Sequence, residues 1–262
     1  MTKAQLTLKV IANNRLSNTY SHLILQANKD ENEIMGLFNS IQPGQFVEVR
    51  VDGSKNTFLR RPISVNYIDA KHLLLHLLIR RAGEGTASLC DLDSGKLLNL
   101  IMPLGNGFTI NDDIRNPLLI GGGVGVAPLL FLGEKLREKG VTPTFLLAAR
   151  TANDILMYDR FREIGNVLLS TDDGSVGHHG LVTENPALIS DEWDMFYCCG
   201  PMPMMRGIAQ IASRLGTECE VSLENSMACG LGACLCCVED TVDGNVCVCK
   251  DGPVFNISRL KW

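Results

Sequence analysis

Six of the ten cysteines of this chain fall within 21 residues: Cys229, Cys234, Cys236, Cys237, Cys247 and Cys249. No other feature of the sequence constrains the fold so tightly. A terminal segment of about forty residues buries too little apolar surface to hold itself together. One this rich in thiols therefore needs a staple. The first ten residues alternate polar and apolar and lack the continuous apolar stretch of a secretory signal. A cytoplasmic protein is expected, with its cysteines used for metal or redox chemistry rather than for a disulfide framework.

The spacing narrows the chemistry. Cys229-x4-Cys234-x2-Cys237, with Cys249 twelve residues further on, is the plant-type arrangement of four thiolates around a [2Fe–2S] cluster. Gly230, Gly232 and Ala233 keep the loop small enough for backbone N–H groups to reach the sulfurs. Zinc also accepts four thiolates. Zinc ribbons, however, favour two Cys-x-x-Cys knuckles, and here the second would have to be Cys247-x-Cys249. Iron–sulfur is the better reading. Whether Cys236 or Cys247 replaces a neighbour as ligand stays open.

The rest of the chain has two rhythms. Up to residue 103 it reads as strands: Val47, Val49 and Val51 alternate with Glu48 and Arg50, and residues 6–12, 22–25, 73–79 and 97–102 are apolar runs between turn signals. Such strands without helical patterns between them predict a small antiparallel barrel. From 104 to 219, apolar runs at 118–120, 145–149, 167–170 and 195–199 alternate with helical stretches at 129–139, 155–164 and 204–215. That alternation predicts a parallel α/β sheet. The expected division is therefore a multi-domain β + α/β protein: a barrel over 1–103, a parallel α/β domain over 104–219 and a cluster domain over 220–262. A net charge of −5 without a basic tract excludes a nucleic-acid partner. Residues 116–133 carry no charge, but Pro117, Pro128 and five glycines make them a strand, loop and helix start rather than a membrane span.

Four further motifs bear on chemistry. Gly121, Gly122, Gly123 and Gly125, before Pro128, sit between a strand and a helix, where a diphosphate can approach the backbone. Asp172 and Asp173, just past a strand, suit ribose hydroxyls and repel a 2′-phosphate, which favours NAD(H); an Asx turn explains them equally well. Arg61-Pro62-Ile63-Ser64, preceded by Arg60, aims a guanidinium at a pyrophosphate and a hydroxyl at a ring nitrogen, and Gly85 and Thr86 can add donors to the same phosphates. Cys199 and Gly200, before Pro201, stand at a strand end where a ligand binds. His72 and His76 share a strand face without a third ligand, His178-His179 reads as loop, and Cys90 and Cys219 as packing.

Together these residues resemble the ferredoxin-reductase superfamily: Arg61-Pro62-Ile63-Ser64 its flavin motif, residues 121–128 its nucleotide loop, and Cys199-Gly200-Pro201 its nicotinamide-side motif. The cluster loop from Ser226, the following Cys249-Lys250-Asp251-Gly252-Pro253, and Pro103-Leu104-Gly105-Asn106-Gly107 are similar to the electron-transfer subunits of the NAD-dependent (class 1B) dihydroorotate dehydrogenases. The resemblance implies a six-stranded barrel holding FAD, NAD(H) on the α/β domain, and iron on Cys229, Cys234, Cys237 and Cys249. It adds Leu78, Ile79 and Arg80 to the flavin residues. It implies an FMN-containing catalytic subunit as partner, in a heterotetramer serving pyrimidine synthesis. Other FAD and iron–sulfur reductase subunits, such as those of bifurcating ferredoxin:NADP oxidoreductases or sulfide dehydrogenases, and a zinc-stapled adaptor without redox activity, are the competing readings.

Overall fold

The structure, a computed structural model, describes residues 3–28, 32–190 and 192–262. Met1 and Thr2, the start of the N-terminal alternation, lie outside the described residues. The chain forms two compact units. One takes Met1–Gly107, Asn225–Glu239 and Val246–Pro253; the other takes Phe108–Glu224, Asp240–Asn245 and Val254–Trp262.

The first unit is built on a barrel of β1 (Ala4–Arg15), β2 (Tyr20–Gln26), β3 (Phe46–Val49), β4 (Arg61–Asp69), β5 (Leu74–Arg80) and β6 (Leu97–Leu104). It closes in the order β1-β2-β5-β4-β3-β6, every pair antiparallel. Alternation fills the interior with Leu8, Val10, Leu23, Leu25, Val47, Val49, Val65, Leu75, Leu77 and Leu100, all buried. Each such side chain contributes about 1.5–3 kcal/mol on burial. The β4–β5 ladder runs only from Asp69↔Leu74 to Val65↔Leu77. Beyond it, Arg61–Ser64 pair with β3 alone and Leu78–Arg80 with β2 alone. The two strands therefore part at one end of the barrel.

The absence of helices expected for this region is corrected by α1 (Asn32–Ser40) and α2 (Glu84–Cys90). The first shows the apolar set Ile34, Leu37 and Phe38, continued by Ile41 just past its end, with Phe38 and Ile41 buried. The second is seven residues, too short for periodicity to register. Its first turn is held by Thr86, whose Oγ1 accepts from Ala82 N and Gly83 N at 2.9 and 3.1 Å. His72 is also not on the strand face: it precedes β5 and bonds Asp69 (Nδ1···Oδ2 2.6 Å), while His76 Nδ1 meets His22 Nε2 at 3.1 Å.

The second unit contains β7 (Pro117–Gly122), a 3-10 turn over Gly123–Val126, α3 (Ala127–Glu138), β8 (Thr144–Ala149), α4 (Tyr158–Ile164), β9 (Asn166–Thr171), β10 (His178–His179), β11 (Met195–Cys199), α5 (Met202–Leu215) and β12 (Glu218–Ser222). The histidine pair thus forms a short strand rather than loop. Helix α5 buries Met205, Ile208, Ala209, Ile211 and Ala212 and stops at Gly216, whose φ of 69° is the left-handed conformation that ends helices. The chain continues through the hairpin β13 (Val238–Thr241) and β14 (Gly244–Cys247), the short α6 (Val248–Asp251) and β15 (Val254–Asn256). The sheet order is β10-β9-β8-β7-β11-β12-β15. All pairings are parallel except β12 with β15, so the sheet is mixed rather than purely parallel. The boundaries expected at 103/104 and 219/220 fall inside β6 and β12. Among the described residues no helix is long and apolar enough to cross a membrane.

Candidate functional site

In the first unit the cluster loop carries Cys229, Cys234 and Cys237, and α6 carries Cys249. The Cys234 side chain lowers the pKa of the Cys229 thiol, and the Cys237 side chain raises that of Cys249. Leu231 N donates to Cys229 Sγ at 3.3 Å, Gly232 N to Cys249 Sγ at 3.1 Å and Cys249 N to Cys237 Sγ at 3.4 Å. Gly230 and Gly232 adopt φ of 67° and 82°, which turns those amides inward. Cys237 and Cys249 are buried and Cys234 is exposed. Burial raises the Cys229 thiol, but donors from Leu231, Cys234 and Ala233 outweigh it and bring its pKa to about 6. Burial, with the Cys237 bond, pushes Cys249 up to about 12. Among the described residues no three His, Cys, Asp or Glu side chains converge as a single-ion site would require. Four thiols at this spacing, three of them receiving backbone donors, would hold a two-iron cluster. Cys236 is exposed and Cys247 hydrogen-bonds Gly232 O and, through its N–H, Asp251; the loop pairs neither with another thiol.

The fourth thiol owes its position to a segment the sequence reading left without a role. Asn106 Nδ2 donates to Lys250 O (3.2 Å) and Asp251 O (3.1 Å), and its N–H donates to Gly252 O (2.6 Å). At Gly105, φ 73°, an added Cβ would lie 2.5 Å from Pro253 Cδ. This side chain and this glycine tie α6 to the end of β6.

The predicted flavin residues of the barrel flank the gap where β4 and β5 part. Arg61, Pro62, Ile63 and Ser64 start β4 on one side; Leu78, Ile79 and Arg80 end β5 on the other. Gly85 lies at the gap too: a Cβ there would come 2.8 Å from Arg61 Nε. Arg61 Nη1 donates to Leu59 O at 2.9 Å. Ser64 is half-buried, Arg80 is exposed, and Leu78 and Ile79 are buried. The Thr86 hydroxyl is committed to its helix start. Glu84 accepts from Ser54 Oγ (2.7 Å) and Asn56 Nδ2 (3.1 Å), and those bonds hold its carboxyl below the usual range.

In the second unit the sheet reverses its strand order between β7 and β11, and loops leaving their C-terminal ends meet there. Gly121 is level with Cys199. A Cβ on Gly121 would lie 2.8 Å from Val126, one on Gly122 2.6 Å from Met204 Sδ, and one on Gly125 2.7 Å from Gly200 Cα and against the Cys199 carbonyl. Gly123 has φ 57°. Each glycine thus has a packing or backbone reason, and their number alone does not demand a phosphate. Cys199 is buried; burial first, then Glu224, holds its thiol neutral well above its ordinary pKa. Asp172 and Asp173 stand two strands away, past β9. Asp173 forms an Asx turn, accepting from Ser175 N (3.0 Å) and Oγ (2.6 Å), which lowers its pKa. Asp172 is exposed.

Comparison with known proteins agrees with this arrangement. A family model described as the iron–sulfur cluster binding domain of dihydroorotate dehydrogenase B matches residues 224–261, and the oxidoreductase NAD-binding domain matches 119–210. The chain is 36% identical over 262 residues to the dihydroorotate dehydrogenase B (NAD(+)) electron transfer subunit of Listeria monocytogenes, covering 98% of this chain and 99% of that one. It is 40% identical to that of Geobacillus kaustophilus (84% and 86% covered). Among solved structures it resembles, at 28% identity and a TM-score of 0.85, a chain of the NADH-dependent reduced ferredoxin-NADP oxidoreductase, covering 97% of this chain and 90% of that one. A ferredoxin NADP+ reductase from Neisseria gonorrhoeae with bound FAD and NADP shares the fold at 16% identity, with a TM-score of 0.65 over 81% of this chain and 92% of that one. The bifurcating reductase has the same architecture, so the fold does not decide between the two readings; the near full-length identity does. With a cluster loop, an NAD-binding sheet and a barrel in one order along one sequence, the chain belongs to the family of dihydroorotate dehydrogenase B electron transfer subunits.

Proposed function

We propose that this chain relays electrons from the FMN of a dihydroorotate-oxidising catalytic subunit to NAD+, in a cytoplasmic heterotetramer of two subunits of each kind that serves pyrimidine synthesis. The observation that carries this reading is the near full-length identity to dihydroorotate dehydrogenase B electron transfer subunits, joined to backbone donors on three of the four predicted thiols. All ten cysteines are unpaired as disulfides, which suits a reducing compartment.

FAD is assigned to the barrel that ends with β6, NAD(H) to the sheet from β7 to β12, and the cluster to the segment after β12. A nicotinamide exchanges electrons in pairs and an iron–sulfur cluster one at a time, and FAD supplies the conversion between them. The chain's own residues bind and orient. Arg61 brings a fixed charge to the FAD pyrophosphate and Ser64 a hydroxyl to its ring. Pro62, Ile63, Leu78, Ile79 and Arg80 wall the gap between β4 and β5, where Gly85 and Thr86 supply backbone donors. Gly121, Gly122, Gly123 and Gly125 receive the NAD(H) diphosphate at the strand reversal, with Cys199, a neutral thiol, and Gly200 beside the nicotinamide. Asp172 and Asp173 disfavour a 2′-phosphate. Cys229, Cys234, Cys237 and Cys249 hold the iron, and burial of the last two keeps water from that side. No residue here needs to act as a general acid or base on dihydroorotate, whose oxidation belongs to the partner.

The test is a reconstituted complex of the chain with its catalytic subunit, FMN, FAD and iron. NADH formed from dihydroorotate supports the proposal. A fully loaded complex that forms none, or that reduces NADP+ from ferredoxin instead, refutes it.

A further inference from the structure

The histidine pair of β10 has no part in the function proposed above, yet its second member stands where a nucleotide needs a ring. Adjacent residues of a strand point to opposite faces. His178 is half-buried with its Nε2 enclosed, whereas His179 is exposed. β10 pairs with β9 at His179↔Thr171, the residue before Asp172, and Gly180 N donates to Thr171 O at 3.0 Å. The His179 ring lies against the turn that carries the two aspartates: a Cβ on Gly174, where φ is 71°, would come 2.8 Å from His179 Cγ and 3.0 Å from its Cδ2. That backing is fixed. Asp172 N donates to Ala149 O (3.1 Å), Asp173 N to Arg150 O (3.2 Å) and Gly174 N to Thr171 O (3.1 Å). Ala152 N donates to Ser175 Oγ at 2.7 Å, which ties the turn to the loop after β8 as well. The imidazole therefore rests on held backbone while the residue stays open to water.

Resting on the reading that Asp172 meets a ribose of NAD(H), we propose that His179 is the platform on which the adenine of the dinucleotide stacks, so that it selects a nicotinamide cofactor carrying an adenylate half. A base is joined directly to its ribose, and hydroxyls held at Asp172 leave the adenine beside this turn. Between residues 166 and 185 the only aromatic rings are His178 and His179, and of these His179 is the exposed one. Tyr158, at the start of α4, already has a guanidinium over its ring, with Arg162 Cζ 5.7 Å from the centroid. Histidine is among the side chains on which bases stack, and stacking needs only a flat face rather than a matched set of donors. A ring already backed by fixed backbone loses little freedom when a base settles on it, so more of the contact appears as affinity.

The experiment follows reduction of a two-electron dye by the intact complex carrying wild-type, His179→Ala or His179→Phe chain. The electron donor is either NADH or reduced nicotinamide mononucleotide, which lacks the adenylate half. His179→Ala is expected to raise the KM for NADH about tenfold, within what one base stacked on a ring supplies, with kcat unchanged. His179→Phe keeps a ring and should stay near the wild-type KM. With the mononucleotide the three chains should behave alike. An unchanged KM for NADH in His179→Ala overturns the inference and leaves the proposed function standing. So does an equal loss with the mononucleotide, which would place His179 in the fold of the unit rather than under the base. If His179→Ala does not fold, modification of wild-type His179 by diethyl pyrocarbonate decides: slowing by 5′-AMP supports the inference, and no slowing overturns it. A fully loaded wild-type complex that oxidises neither donor overturns both the inference and the proposed function.

Discussion

Two loops of this molecule are rich in glycine, and they use it differently. In the loop after β7, Gly121, Gly122 and Gly125 are there because a Cβ would strike Val126, Met204 and the backbone of Cys199 and Gly200. In the cluster loop, Gly230 and Gly232 adopt left-handed φ, and the amides they steer end on sulfur. Glycine alone therefore says little about a ligand. Thiols at a fixed spacing say a great deal, because few chemistries need four of them.

The comparison breaks most visibly at a ligand. Cys249→Ser should abolish the visible iron–sulfur bands and cut dihydroorotate-driven NAD+ reduction by more than about 100-fold, beyond the upper end for outer-shell partners. NADH-driven reduction of a two-electron dye acceptor should persist. Gly125→Ala should act on the other loop only. Its Cβ overpacks the Cys199 segment, which typically costs about 1–3 kcal/mol. The melting temperature should fall by several degrees and the KM for NAD(H) should rise, with the cluster spectrum unchanged. Gly230→Ala should do the reverse: a left-handed φ costs about 1–2 kcal/mol with a side chain, so iron content per chain should fall while NAD(H) affinity holds. Asn106→Ala removes two side-chain bonds to α6, each with a net value of about 0.5–1.5 kcal/mol. Faster cluster loss in air, measured as bleaching, is expected. Asp172→Asn should have the smallest effect, a several-fold gain in NADPH use read from the ratio of kcat/KM values.

What the sequence reveals follows the same division. Long alternating or periodic runs identify β1, β2, β5, β6, β8, β9, β11, α3 and α5 at or near their observed bounds, because each buries one continuous face. α2 escapes because seven residues whose first turn is held by a threonine within it carry no periodic signal, whereas the apolar set of α1 is readable once Gly36 and the asparagines around it are not taken for turn signals. The edge strand β15 escapes because three residues pairing antiparallel to β12 look like any short apolar run. In the cluster segment the spacing names the four thiols. It does not show Asn106 and Gly105, more than a hundred residues earlier, holding the helix that carries the fourth. Nor does it show that Glu48, in a strand whose valines alternate as any barrel strand would, ends without a hydrogen bond beneath that loop. Contacts between remote stretches leave no trace in local pattern.

The most direct measurement is the metal itself. Chain purified without oxygen and supplied with iron and sulfide should hold two irons and two acid-labile sulfides, and should give a paramagnetic signal when reduced with dithionite. Zinc in place of iron, or a reduced sample with no such signal, would contradict the account.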